Sequence, residues 1–214
     1  MLDFDIKATS IEKQMFKSQR FCKISNALSS ETLCLLENYL NFQQKHNQDY
    51  FYKDNFAKGR YADYFCESIL LELQPLMEEI CAKSLFPTFS YLRIYSNGDT
   101  LKKHFDRQIA EYSGTMTLSY ESDELWPIYV DNNGKSEACN LNKGDLLIYK
   151  GKELLHWREE FKGKKWIQCF FHYVDANGEY KDYKFDKRAG IGAPPQKTKM
   201  NIQDKIQFIK GTLR

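Results

Sequence analysis

The chain has 214 residues, the length of one domain with extensions. With 42% hydrophobic and 15% aromatic residues it can bury a core, which excludes a wholly disordered chain. The 31 lysines and arginines nearly balance the 29 aspartates and glutamates. The resulting net charge of +2 argues against electrostatic binding to nucleic acid.

The sequence predicts a cytoplasmic protein without a membrane partner. Apolar runs such as 69–71 and 146–148 are far shorter than the roughly twenty residues that cross a bilayer. Asp3 and Asp5 stand where a secretory signal would carry basic and then apolar residues. The six cysteines lack the CxxC spacing of a zinc cluster, so we expect free thiols in a reducing compartment.

Helical patterns dominate the first part of the chain. Ser29 and Ser30 before Glu31 form a helix-cap signal, and leucines at helical spacing predict a helix over 30–44. A second apolar stripe predicts helix over 61–83, in which Pro75 is expected to cause a kink or begin a new helix. These helices predict a support region for the rest of the domain.

Strand patterns begin after Pro87, where the apolar period changes to two. The first strand carries four side chains on one face, Phe89, Tyr91, Arg93 and Tyr95. Further strands are predicted over 112–120, 126–130, 136–141, 145–149 and 165–174. The pattern indicates an α+β protein with a jelly roll. We divide one compact domain into an N-terminal helical support region at 1–86, a core at 87–175, and a C-terminal loop with a short helix at 176–214.

Three residues are candidates for a metal site. His104 and Asp106 are two residues apart, so in a strand-like segment their side chains point the same way. His156 follows a later apolar strand. Two imidazoles and one carboxylate form the facial triad that suits non-haem Fe(II). Ordinary structural histidines are the alternative, because such a pair also arises by chance.

The order of these features resembles the prolyl-4-hydroxylase-like group of 2-oxoglutarate and Fe(II)-dependent oxygenases. The resemblance covers about 87–175, and its pieces are the strand at 91–95, Gly98, Leu101, the His104–Asp106 pair, the turn at 143–145, His156, and a basic residue that begins the last strand. It implies a double-stranded β-helix with N-terminal helices on the major sheet. It also implies Fe(II), 2-oxoglutarate and O2 as cofactors, with ascorbate as a further candidate, and His104, Asp106 and His156 as catalytic metal ligands.

The same resemblance implies where the cosubstrate binds. In that family a basic residue nine or ten positions after the second histidine pairs with the distal carboxylate, and Lys165 stands nine positions after His156. Lys164 and Arg158 are the alternatives. They become the candidates if Gln168 and its neighbours of the same parity face the barrel, since strand alternation would then turn Lys165 outward. Tyr95 is expected to hydrogen-bond the cosubstrate.

The predicted function follows from the resemblance. Arg93, Arg107 and Tyr91 are candidate substrate-binding residues. The expected reaction is hydroxylation of a C–H bond in a protein side chain, prolyl included, or in an amino-acid-like substrate, with release of succinate and CO2. Its partner would be a protein, a peptide or an amino acid. The alternative is a non-catalytic, cupin-like jelly roll that binds a metal or another ligand.

Overall fold

The structure is a computed structural model that describes residues 7–47, 49–53 and 57–192. The helices are α1 (Ser10–Gln19), α2 (Ser30–His46) and α3 (Tyr64–Cys81). The strands are β1 (Phe21–Ile24), β2 (Tyr52–Lys53), β3 (Lys58–Tyr61), β4 (Leu85–Ser96), β5 (Leu101–His104), β6 (Tyr112–Glu121), β7 (Ile128–Asn132), β8 (Lys135–Cys139), β9 (Leu146–Tyr149), β10 (His156–Arg158) and β11 (Lys165–Asp175). A short irregular helical segment spans Lys181–Lys187.

The strands form two antiparallel sheets, as expected for a jelly roll. The major sheet has seven strands in the order β1-β9-β6-β11-β4-β3-β2. The minor sheet has four in the order β5-β10-β7-β8. Apolar side chains from both sheets meet between them, among them Ile128 and Val130 of β7 and Leu147 of β9. The space between the sheets is therefore the barrel interior.

The helices pack on the outer face of the major sheet, as predicted. Side chains of α3 such as Leu73 and Met77 share one apolar core with Ile167 and Phe171 of β11. The helix runs unbroken through Pro75, so the expected new helix does not begin there. The region predicted as helical support also supplies β1, β2 and β3 to the sheet.

Alternation along β11 decides which of its side chains reach the barrel interior. Ile167 lies in the core under the helices, whereas Trp166 packs with Trp126 between the sheets. By the same alternation Gln168 faces inward and Lys165 faces the helix side. A register shift occurs between β11 and β6, but the extra residue is on β6, so it does not turn Lys165 inward.

A buried ion pair fixes the segment after β11 to the rest of the domain. Arg188 donates two hydrogen bonds of 2.8 Å to Glu67 of α3, and both side chains are fully buried. The backbone N–H of Gly192 also donates to Glu67. The C-terminal helix predicted from the sequence lies outside the described residues. Within the described part of the chain, none of the helices has the length and apolar character needed to cross a membrane.

Candidate active site

The minor sheet places two histidines directly opposite each other. His104 ends β5, His156 begins β10, and the two are register partners in an antiparallel pair. Side chains at such positions project from the same face with Cβ atoms about 5 Å apart. The two imidazole centroids are accordingly 4.3 Å apart. Strand pairing, and not a flexible loop, therefore brings two ligands 52 positions apart in sequence into contact.

Asp106 completes a three-ligand cluster. Its Oδ1 lies 3.5 Å from His156 Nε2 and 3.7 Å from His104 Nε2. The candidate ligand atoms of the three residues all lie within 4.8 Å of one another. Two imidazoles and a carboxylate that meet at one point form a facial donor set, which leaves other positions of a metal ion open to ligands. The sequence-based prediction for these three residues thus agrees with the geometry.

The backbone fixes the orientation of both imidazoles. His104 Nδ1 lies 2.7 Å from the carbonyl oxygen of Lys102, and His156 Nδ1 lies 2.9 Å from that of Leu154. A carbonyl oxygen only accepts, so each Nδ1 donates and each Nε2 keeps its lone pair. His156 Nε2 is buried and has no hydrogen-bond partner among the described residues. This arrangement is the one that metal-binding histidines adopt.

The charges in the cluster favour metal binding. Burial, together with the neighbouring His156, lowers the pKa of His104 to about 4. Burial raises the pKa of Asp106, but His156, His172 and His104 together outweigh it and hold that pKa well below its usual range. Burial also opposes the protonation of His156, yet the Asp106 carboxylate raises the pKa of His156 above its usual value. The Asp106 carboxylate is therefore ionised, which is the state that a metal ligand requires.

Gly151 makes room for the Asp106 carboxylate. A Cβ atom at position 151 would lie 2.2 Å from Asp106 Oδ2 and 2.5 Å from Ser113 Oγ. The Gly151 carbonyl also accepts a 2.9 Å hydrogen bond from the Asp106 backbone N–H. The loop before β10 thus fixes the Asp106 backbone and leaves space for its carboxylate.

We expect Gly151→Ala to weaken divalent metal binding by about 10–100-fold, because the new methyl group displaces the Asp106 carboxylate. Titration with Co(II) measures the effect. Gly190→Ala is the matched control, since a Cβ there meets no atom of the described chain within 4 Å. Equal affinity in both variants would show that the carboxylate adapts to the methyl group.

Behind Asp106 lie two residues that the sequence analysis did not assign to the site. Ser113 Oγ donates to Asp106 Oδ2 at 2.7 Å, and His172 Nδ1 lies 2.9 Å from the same Oγ. Both are buried and belong to neighbouring strands, β6 and β11. Alternation along the last strand puts His172 on the same face as Gln168, and this is the only signal that the sequence offers for His172; it offers none for Ser113.

Arg158 occupies the barrel interior on the same strand as His156. It lies two residues further along β10, so alternation directs both side chains to the same face. Its guanidinium carbon lies 4.7 Å from the ring centroid of Trp126 and 5.5 Å from that of Trp166. Phe161 packs against both tryptophans. Arg158 is therefore enclosed by aromatic side chains and is 1% exposed.

The guanidinium of Arg158 is only partly satisfied. One nitrogen, Nη1, donates to the carbonyl oxygen of Trp126. Nε and Nη2 are buried, and neither has a hydrogen-bond partner in the described ranges. Burial lowers the pKa of Arg158 to about 10, which still leaves it charged at neutral pH. A buried, charged donor group without an anion is costly, and its chemistry fits a carboxylate.

Two tyrosine hydroxyls lie near this guanidinium. Tyr95 and Tyr149 both act electrostatically on Arg158. Neither hydroxyl has a hydrogen-bond partner among the residues that the structure describes. Tyr149 also packs edge-on against the His156 ring at 4.8 Å. Arg158, the two tyrosines and His156 are thus buried polar residues of the same barrel interior.

The two lysines considered for the cosubstrate lie elsewhere. Lys165 Nζ is 3.0 Å and Lys164 Nζ is 2.6 Å from carboxylate oxygens of Glu121. Lys165 is on the helix-facing side of β11, and the inward residue ten positions after His156 is Trp166. The structure therefore brings Arg158, and not Lys165, together with the triad.

The candidate substrate-binding residues lie at or near the barrel mouth. Tyr91 and Arg93 face inward from β4, where they are register partners of Phe170 and Gln168 of β11. Arg93 stacks on the rings of Tyr91 and Phe170, and its charge lowers the pKa of His104. Arg107 is exposed, and its guanidinium lies 4.6 Å from the ring centroid of Phe89. Both arginines therefore lie against aromatic rings of the major sheet.

Comparisons with known proteins agree with this geometry. No family model matches the sequence, and no curated protein matches it. Solved structures do match. One is the non-haem α-ketoglutarate-dependent epimerase SnoN from nogalamycin biosynthesis, which has a TM-score of 0.67 and 9% sequence identity. The match covers 86% of this chain and 91% of that chain. A prolyl-4-hydroxylase from Pseudomonas putida has a TM-score of 0.63 at 11% identity, over 77% and 97%. HygX from Streptomyces hygroscopicus, with nickel, 2-oxoglutarate and hygromycin B bound, has a TM-score of 0.65 at 11% identity, over 79% and 88%.

These likenesses concern the fold. Identities of 9–11% accompany near-complete coverage of each solved chain. The fold predicted from the sequence is confirmed: this chain has the double-stranded β-helix fold of 2-oxoglutarate and Fe(II)-dependent oxygenase structures.

Proposed function

We propose that the protein is an Fe(II)- and 2-oxoglutarate-dependent dioxygenase. The proposed reaction hydroxylates a C–H bond of a protein side chain, prolyl included, or of an amino-acid-like substrate, and releases succinate and CO2. One observation carries the proposal: the same barrel interior contains a three-ligand cluster and a buried guanidinium, two of whose nitrogens lack hydrogen-bond partners among the described residues. The fold shared with SnoN, HygX and the Pseudomonas putida prolyl-4-hydroxylase supports it.

The donor set suits Fe(II). His104, Asp106 and His156 would hold the ion, and their Nε2 and Oδ1 atoms already converge. Bound Fe(II) together with 2-oxoglutarate would supply the activation of O2. The protein fixes the ligands through strand pairing and through backbone acceptors for both imidazoles. That rigidity is what a metal site with open positions requires.

Arg158 would bind the distal carboxylate of 2-oxoglutarate. A charged guanidinium pairs with a carboxylate through two parallel hydrogen bonds, and Nε and Nη2 are the two donors that lack partners within the described chain. Tyr95 and Tyr149 would donate hydroxyl protons to the cosubstrate between Arg158 and the metal. Trp126 and Trp166 keep bulk water from this region, because both are almost fully buried.

The barrel mouth would bind the substrate. Arg93 and Arg107 present positive charge beside the triad, and Tyr91 adds an aromatic face. This surface suits a carboxylate-bearing or peptidyl substrate. The prolyl-4-hydroxylase among the similar structures supports a peptidyl substrate. HygX, which has hygromycin B bound, supports a small molecule of another kind.

Succinate formation tests the reaction class. The purified protein is incubated with Fe(II), ascorbate and 2-oxoglutarate, together with proline-containing peptides or free amino acids. Iron-dependent succinate and addition of one oxygen atom to a substrate are expected. A cupin-like binding protein would take up the metal but release no succinate, so that result would favour the non-catalytic alternative.

A further inference from the structure

Two hydrogen bonds in series, from His172 to Ser113 and from Ser113 to Asp106, hold the carboxylate oxygen that faces away from the histidines. We call this pair of hydrogen bonds the relay. Oδ2 accepts a hydrogen bond from Ser113 Oγ at 2.7 Å, and His172 Nδ1 lies 2.9 Å from that Oγ. A hydroxyl has one proton to donate, and an ionised carboxylate only accepts. The Ser113 proton therefore goes to Asp106, and His172 Nδ1 must donate to Ser113. The tautomer of His172 follows from this hydrogen-bond direction.

Packing holds the relay in one orientation. Ser113 is fully buried and His172 is 6% exposed. The His172 ring packs on Phe89 with centroids 4.5 Å apart, and Phe89 stacks on Tyr61 at 5.4 Å. The ring contact fixes the plane of the imidazole, and the hydrogen bond to Ser113 selects the ring edge that carries Nδ1. His172 can therefore present its Nδ1–H to Ser113 only.

Strand register and a glycine complete the arrangement. Ser113 of β6 and His172 of β11 are register partners on the inner face of the major sheet. Gly151 closes the other side of Oδ2, where a Cβ would lie only 2.2 Å away. Oδ2 is thus confined between Ser113 and Gly151. Oδ1 is the oxygen left to face both histidines.

We propose that Ser113 and His172 are positioning residues of the metal centre, which hold Asp106 so that Oδ1 alone serves as ligand. The inference rests on the proposed metal-dependent function and adds two residues to it. Neither residue is assigned contact with the metal, the cosubstrate or the substrate. His172 acts on Asp106 through Ser113, so removing either one frees the same carboxylate oxygen.

Titration of the purified protein with Co(II) tests this inference, with the visible Co(II) spectrum as a readout of ligand geometry. Ser113→Ala is expected to weaken binding by about 10–100-fold and to change the spectrum. His172→Phe should act in the same direction. His172→Asn, whose side-chain N–H replaces Nδ1–H, should restore most of the affinity. The double variant Ser113→Ala/His172→Phe should bind no more weakly than Ser113→Ala, because the two act in series.

Controls separate the possible failures. Ser90→Ala removes a buried hydroxyl that faces the helices from β4 and should leave Co(II) binding unchanged. Thermal unfolding of each variant reports on the fold. If Ser113→Ala kept the Co(II) affinity and spectrum of the wild type, or if the losses of affinity were additive in the double variant, the positioning role would be wrong. The proposed metal site would not be affected by either result. Absence of Co(II) binding by the wild type would overturn both this inference and the proposed function.

Discussion

Replacement of Arg158 by methionine is expected to raise the concentration of 2-oxoglutarate needed for half-maximal succinate formation by about 30-fold to several thousand-fold. The physical reason is the loss of a buried charge partner for the distal carboxylate, which commonly costs about 2–5 kcal/mol. Arg158 is 1% exposed, and among the described residues no carboxylate pairs with it. Titration of 2-oxoglutarate at saturating Fe(II) gives the measurement.

Two comparisons make this prediction specific. In Lys165→Ala and Lys164→Ala the half-maximal concentration of 2-oxoglutarate should stay close to that of the wild type, because both lysines pair with Glu121 outside the barrel. The same measurement with a 2-oxo acid that lacks the distal carboxylate, such as 2-oxobutyrate, should give similar half-maximal concentrations for the wild type and Arg158→Met. If Lys165→Ala raised the half-maximal concentration strongly and Arg158→Met did not, Lys165 would be the residue that binds the distal carboxylate, as expected from the sequence.

Loss of any one metal ligand is expected to abolish iron-dependent succinate formation. His104→Ala, Asp106→Ala and His156→Ala each remove one of three converging donor atoms. Co(II) affinity should fall by more than the roughly 10–100-fold that is typical when an outer partner of a ligand is lost. Metal content, Co(II) titration and succinate release measure the effect.

The fold should survive these substitutions, because apolar packing of the helices and sheets does not involve the triad. His46→Ala is the matched control, since His46 ends α2 on the surface. We expect wild-type metal binding in that variant. Full metal affinity in any one of the three triad variants would remove that residue from the proposed site.

The proposed anchor, Arg158, distinguishes this barrel from the pattern expected by resemblance. The resemblance implies a basic side chain on the last strand, whereas the inward residue at that place is Trp166. Arg158 reaches the same interior from the minor sheet, two residues after His156. One three-residue strand would thus carry both a metal ligand and the cosubstrate anchor. The Trp166 ring packs against the guanidinium, with its centroid 5.5 Å from the Arg158 guanidinium carbon.

The amino-acid sequence was enough to predict the fold class and the three residues of the candidate metal site. Period-two alternation from Phe89 to Tyr95 predicted a strand with these side chains on one face, and the structure has that strand. The spacing of His104 and Asp106 predicted side chains on one side, and the family resemblance added His156 as the third candidate ligand; the structure brings the three together. These inferences succeeded because alternation and short spacing are local properties of the backbone.

The other residues of the candidate site could be placed only from the packing of the strands and helices. Whether Lys165 or Trp166 faces the barrel depends on how β11 pairs with β4 and which side the helices cover, and local sequence allows either parity. The relay from His172 through Ser113 to Asp106 joins residues up to 66 positions apart in sequence, and it exists only because β6 and β11 are neighbours in one register. Arg158 became the anchor candidate for the same reason, since the tryptophans that enclose it come from separate segments of the chain. Contacts between distant strands are set by packing of the whole domain, and a single sequence does not encode them locally.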